Sequence, residues 1–194
     1  MLFAPPKTGF STLINTFPEA HRGVNLPRDK PIYGSVRDPV DRWLSAYNMM
    51  VLWGYKRDNQ DQDDMREDLG AAWFDRWFPD PDSITDPVGF CRAWLLEAQP
   101  VVEQYAGDLH LTSQTRVYQR LLGDQWQSDP RLHLFPMQQW IGIMWKQTGT
   151  VVNSISNQGQ YRVPRHYFNT VLPLIRQTFA RDVELWNSVR LNTL

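Results

Sequence analysis

Short apolar runs alternate with amphipathic stretches along this chain of 194 residues. Leu2-Phe3-Ala4 and the stretch containing Ile32, Tyr33 and Val36 have the brevity and β-propensity of buried strands. After the second, Asp38 is set as an N-cap, Pro39 as a first helical residue and Asp41 as a first-turn acid. Val40, Trp43, Leu44 and Tyr47 then recur at i, i+3, i+4 and i+7, which is one apolar face of a helix. Asp86-Pro87 repeats the cap-and-proline pairing and predicts a helix that ends at Gln99, before Pro100. Further on, Arg131 to Phe135 predicts a third strand, Pro136 to Thr148 a helix and Thr150 to Val152 a fourth strand. A helix from near Pro164, kinked at Pro173, then precedes a last helical segment from Asp182 to Leu191. Strands alternating with helices predict an α/β fold of three layers, a short parallel β-sheet flanked by helices. No repeat or linker interrupts the pattern, so 1–194 is expected to form a single domain.

Composition narrows the class. At 22.8 kDa and 42% hydrophobic residues the chain can bury an ordinary globular core. No apolar run reaches the roughly 18 residues of a membrane span, and no signal-peptide pattern precedes the first strand. The expectation is a soluble, cytoplasmic protein without a membrane partner. The single cysteine, Cys91, excludes an intramolecular disulfide and a cysteine zinc site, and its helical neighbours Val88, Trp94 and Leu95 predict a buried thiol. The formal net charge of -1 conceals an uneven distribution, because 54–86 carries ten acidic and four basic side chains. Within this acidic insert the stretch "RDNQDQDDMRED", 57–68, reads as a solvated loop or helix face. Elsewhere the basic residues are scattered, which argues against nucleic acid as a partner. Of the nine Trp, Trp43, Trp94, Trp140 and Trp186 have core spacing, whereas Trp53, Trp73 and Trp77, in and beside the insert, are candidates to stack on a sugar ring.

Candidate chemistry concentrates at two strand-to-helix junctions. Pro5-Pro6-Lys7-Thr8-Gly9-Phe10-Ser11-Thr12-Leu13 follows the first strand. A Gly-containing turn opening a helix offers free N–H groups and the positive end of the helix dipole to an anion. Lys7 adds a charge, and the Ser11 and Thr12 hydroxyls add two donors. It is not a Walker loop, whose lysine follows a second glycine. Arg37 stands at the carboxyl end of the second strand, where open α/β sheets bind ligands.

Together these segments resemble the sulfotransferases that use 3′-phosphoadenosine 5′-phosphosulfate (PAPS), in particular the carbohydrate sulfotransferase branch. Pro6-Lys7-Thr8-Gly9-Phe10-Ser11-Thr12-Leu13 is similar to that family's 5′-phosphosulfate loop, P-K-T-G-[ST]-[ST]-[ST]-L, apart from Phe10. Val36-Arg37-Asp38-Pro39, Arg42, Ser45 and Tyr47 match the 3′-phosphate motif V-R-D-P-x-x-R-x-x-S-x-Y. "DLHLTSQ" from Asp108 to Gln114 resembles D-x-H-x-x-P-Q, with Ser113 replacing Pro, and "FARDVELW" from Phe179 to Trp186 resembles Y-x-x-D-x-x-L-F. "VVNSISNQGQYRVP" resembles the late loop whose hydroxyls and basic side chains close over the nucleotide.

The resemblance implies a P-loop-like fold and transfer of a sulfuryl group from PAPS to a hydroxyl of a saccharide or other small alcohol, with no metal. It assigns Lys7 to the leaving 5′-phosphate oxygen and the Thr8, Gly9, Phe10, Ser11 and Thr12 loop to that phosphate. Arg37 and Ser45 would hold the 3′-phosphate, and Ser154 and Arg162 would close on the donor. The base is drawn from Glu19, His21 and His110. His21 is the first choice, because imidazole titrates near neutrality, and His110 is the rival. The alternatives are a P-loop-like nucleotide kinase or NTPase, and a non-catalytic nucleotide-binding module.

Overall fold

Strand β2, Ile32–Val36, forms the middle of a parallel sheet with order β1-β2-β3, flanked by β1 (Leu2–Phe3) and β3 (Leu132–Pro136). The computed structural model describes residues 2–3, 30–54, 60–105, 110–149 and 162–191. Leu2 pairs with Tyr33 and Phe3 with Gly34, while the other edge of β2 runs in register from Ile32↔Leu132 to Val36↔Pro136. Pro136 is tolerated because β3 is an edge strand among the described residues.

Parallel neighbours require long crossovers, and here the β2-to-β3 crossover carries most of the helices. It contains α1 (Pro39–Tyr47), α2 (Gln60–Leu69), α3 (Ala71–Trp77), α4 (Pro87–Ala93), α5 (Gln99–Tyr105) and α6 (Gln114–Leu122). After β3 come α7 (Trp140–Thr148), α8 (Leu172–Thr178) and α9 (Ala180–Leu191). The protein is thus mostly helical with a short parallel sheet, in the α/β class. The predicted fourth strand, Thr150 to Val152, lies outside the described residues.

The described residues divide into two compact units. One is drawn from Met1–Pro39, Gln114–Gln158 and Arg181–Leu194, the other from Val40–Ser113 and Gly159–Ala180. In the first, the sheet face bearing Val36, Leu132 and Leu134 is covered by Tyr118 of α6 and by Leu185 and Val189 of α9. On the opposite face Phe135 stacks on Trp140 at 5.3 Å, at the start of α7, and Tyr33 stacks on His133 at 5.3 Å. Gly34 is what lets α6 approach. A Cβ there would lie 2.5 Å from the Tyr118 hydroxyl, and that hydroxyl donates to Ser35 O at 3.0 Å.

The second unit has an aromatic core. Trp43 stacks on Tyr47 at 5.1 Å and tilts against Trp94 at 5.8 Å and Phe179 at 6.0 Å. The apolar stripe of α1 is buried as its spacing predicts, with Val40, Trp43, Leu44 and Tyr47 all in this core. The acidic insert adds apolar residues to the same core and keeps charged residues of 57–68 in water. Met65, Phe74, Trp77 and Phe78 are buried there, while Arg66, Glu67 and Asp68 face water.

Prolines mark three further differences. The helix from Pro87 does not stop before Pro100, because a π-type stretch, Trp94–Ala98, widens the ladder. The Gln99 N–H returns to Trp94 O, and α5 continues through the proline. A widened turn relieves the clash a proline ring otherwise makes with the carbonyl four residues back. Pro173 sits in the first turn of α8, where its missing N–H costs nothing, so it begins a helix instead of kinking one. The preceding Arg165–Val171 is 3₁₀. After Pro136 the chain makes a 3₁₀ turn, Met137–Gln139, before α7, which ends at Gly149 in the left-handed region with φ 70°.

Candidate functional site

Arg37 directly follows the central strand, and a helix begins two residues later at Pro39. The backbone of Arg37 is held from both sides by one side chain. Gln114 Oε1 accepts the Arg37 N–H at 2.9 Å, and Gln114 Nε2 donates to Arg37 O at 2.9 Å. Gln114 is the first residue of α6 and is fully buried.

Its own position is fixed by Asp182 of α9. Asp182 Oδ2 accepts the Gln114 N–H at 2.7 Å, and Oδ1 accepts the Thr115 N–H at 2.9 Å and the Thr115 hydroxyl at 2.8 Å. A buried carboxylate therefore caps α6 from a distant helix, satisfying two N–H groups that have no partner within the helix. Ionised acceptors make the stronger hydrogen bonds. Tyr118, one turn further along α6, bonds Ser35 O. The end of β2 is thereby tied to α6 at two carbonyls, Ser35 and Arg37.

In the second unit, Ser45 lies half-buried on α1, off the apolar stripe. Arg42 of the same motif is wholly buried and donates to Thr112 O at 2.7 Å. Its guanidinium fastens the Leu111-Thr112-Ser113 turn. Gln99 fastens it again, accepting from Trp43 Nε1 at 3.0 Å and donating to Leu111 O at 3.0 Å. Glu103 accepts the Ser113 N–H at 2.9 Å, and the Ser113 hydroxyl bonds the same carboxylate. A proline at 113 would have no N–H to give, so the departure from the D-x-H-x-x-P-Q pattern is used here. His110 opens this turn and is half-buried.

Arg162 is engaged within the second unit. Nη1 donates to Leu52 O at 2.7 Å, Nη2 pairs with Asp82, and the Arg162 N–H bonds Asn48 Oδ1 at 2.9 Å. These contacts hold a π-type stretch, Asn48–Leu52, that continues α1. Tyr47, the last motif residue, is buried, and its hydroxyl has no hydrogen-bond partner among the described residues. Burial raises its pKa far above the ordinary phenol value. It acts as an aromatic core residue. Among the three tryptophans considered as acceptor contacts, Trp77 is 3% exposed and beneath the Arg76 guanidinium, so it is core. Trp73 packs on Phe78, and Trp53 is 52% exposed.

Lys7, Thr8, Gly9, Phe10, Ser11, Thr12, Glu19, His21 and Ser154 lie outside the described residues. Among those described, no helix is long and apolar enough to cross a membrane, and no group of three His, Cys, Asp or Glu is placed to hold a metal ion. No protein-family model, curated protein or solved structure matches the chain. Gln114 and Asp182 were not among the sequence candidates for the site. Both fall in segments whose patterns were noticed, but their pairing, 68 residues apart, has no local signature.

Proposed function

We propose that the protein is a PAPS-dependent sulfotransferase of P-loop-like fold, moving a sulfuryl group to a hydroxyl of a saccharide or other small alcohol. The observation that carries this is the junction at Arg37. A guanidinium-bearing residue follows the central strand of a parallel sheet, with its peptide clamped at both polar atoms, within a stretch that reads Val-Arg-Asp-Pro-x-x-Arg-x-x-Ser-x-Tyr. Ligands of open α/β sheets bind outside the carboxyl ends of strands, and a guanidinium is the preferred planar fork for a phosphate. The Lys7 loop, following β1 in sequence, supplies the complementary motif for the 5′-phosphosulfate.

In this reading Arg37 and Ser45 hold the donor's 3′-phosphate, and the backbone and hydroxyls of the Thr8 to Thr12 loop hold its 5′-phosphate. Lys7 neutralises charge on the bridging oxygen as it leaves, and His21 or His110 accepts the acceptor's proton. Sulfuryl transfer, like phosphoryl transfer, asks chiefly for in-line positioning and charge stabilisation. The transferred group carries less charge than a γ-phosphoryl, so Lys7 and backbone N–H groups suffice without a divalent cation. The test is incubation with PAPS labelled in its sulfate, a panel of saccharide and small-alcohol acceptors, and EDTA. Labelled ester is expected with wild type and not with Lys7→Ala. Transfer that strictly requires Mg²⁺, or phosphoryl transfer from ATP in its place, would overturn the proposal in favour of a nucleotide kinase.

A further inference from the structure

We infer that Gln114, held by Asp182, is a positioning residue for Arg37 and sets the protein's discrimination for a nucleotide bearing a second, 3′ phosphate. This rests on the function proposed above. The backbone register of β2 with β3 ends at Val36↔Pro136. One residue further on, the Gln114 side-chain amide offers the Arg37 backbone one acceptor and one donor, as a neighbouring strand would. Asn and Gln present this donor and acceptor pair in one plane without depending on pH.

The clamp is rigid at its other end as well. Asp182 takes the Gln114 and Thr115 N–H groups and the Thr115 hydroxyl. Gln114 and Asp182 are at most 1% exposed. The Cα of Arg37 is thus fixed against α6 and α9 together. A long arginine side chain loses much rotational freedom when it grips an anion. Fixing its root reduces what remains to be ordered and directs the fork, and small misplacements of such groups are costly. Neither Gln114 nor Asp182 needs to touch the nucleotide.

The measurement is the affinity ratio between 3′-phosphoadenosine 5′-phosphate and AMP, by calorimetry with EDTA present. Wild type is expected to favour the bisphosphate by roughly 10- to 100-fold, the range of a charge-assisted contact. Gln114→Leu removes both hydrogen bonds and should lower the ratio about tenfold or more, with AMP affinity held within about twofold. Gln114→Glu keeps an acceptor for the Arg37 N–H but opposes a carboxylate to Arg37 O. Its ratio, relative to wild type at the same pH, should be low at pH 8 and recover toward pH 5 as the introduced carboxyl gains a proton to donate. Arg37 and Asp182 are the charged residues hydrogen-bonded to position 114.

Recovery at low pH supports positioning, and it can be read from Gln114→Glu even if Gln114→Leu fails to fold. If wild type shows the preference but both variants retain it, or if both nucleotides weaken in parallel, the inference is overturned and the proposed function stands. If wild type itself shows no preference, the proposed function is overturned and the inference with it.

Discussion

Replacing Gly34 by alanine tests the close approach of α6 to the sheet. The added methyl would lie 2.5 Å from the Tyr118 hydroxyl, 3.0 Å from Tyr118 Cε1 and 2.8 Å from Leu134 Cδ2, where unstrained carbon contacts are about 3.5 Å or more. Leu134 is half-buried and can turn aside. Tyr118 cannot, being wholly buried and stacked on Trp126 at 5.3 Å. Its displacement costs about 1 to 3 kcal/mol as overpacking and about 1 kcal/mol for the hydrogen bond to Ser35 O. The smaller entropy of an unfolded alanine returns about 0.4 to 1 kcal/mol, leaving a net loss of about 1 to 3.5 kcal/mol. Urea unfolding should show a lower midpoint with an unchanged slope. Tyr118→Phe alone should cost about 1 kcal/mol. Combined with Gly34→Ala it removes the nearest atom, so the pair should be less destabilising than the sum by at least about 1 kcal/mol. A Gly34→Ala protein within about 0.5 kcal/mol of wild type, or strict additivity with Tyr118→Phe, would refute the reasoning.

Two further outcomes follow from the buried and paired groups. Cys91 is fully buried, and burial pushes its thiol well above the usual range, so a thiol reagent should label it at the rate of unfolding and not before. Rapid labelling of the native protein at pH 8 would contradict this. Hydrogen bonds from the Arg131 guanidinium and N–H hold the Asp129 carboxyl at about 2, below its ordinary value of 3.8. A carboxyl with a lowered folded pKa contributes stability that is present above its unfolded pKa and lost as pH falls through the folded one. The stability gap between wild type and Asp129→Asn should therefore be open at pH 6 and narrow toward pH 2, and a pH-independent gap would argue against the pairing.

What could be read from sequence was local. β2 and α1 were legible because short β-branched and aromatic runs, a proline at the first helical position and a 3.6-residue apolar period are written in adjacent residues. The helix through Pro100 was not legible, because no local rule announces the π-type widening over the buried Trp94, Leu95 and Ala98. The insert was read from its charge, yet Met65, Phe74 and Trp77 decide its place. Arg37 was legible as a strand-end residue, whereas its support was not. A glutamine and an aspartate that act on distant backbone atoms look like any other polar residues until the fold brings them together. Arg162, expected to close on the donor, bonds Leu52 O and Asp82 within its own unit, contacts that no local pattern announces.

The central claim is that two phosphates are gripped separately, one by the Lys7 loop and one at Arg37. Titration of wild type, Lys7→Ala and Arg37→Ala with 3′-phosphoadenosine 5′-phosphate, 5′-AMP and 3′-AMP tests it directly. Wild type should prefer the bisphosphate to either monophosphate by roughly 10- to 100-fold. Arg37→Ala should erase most of the preference over 5′-AMP and Lys7→Ala should lower the preference over 3′-AMP, each leaving the other in place. Equal affinity of wild type for all three nucleotides would contradict the account.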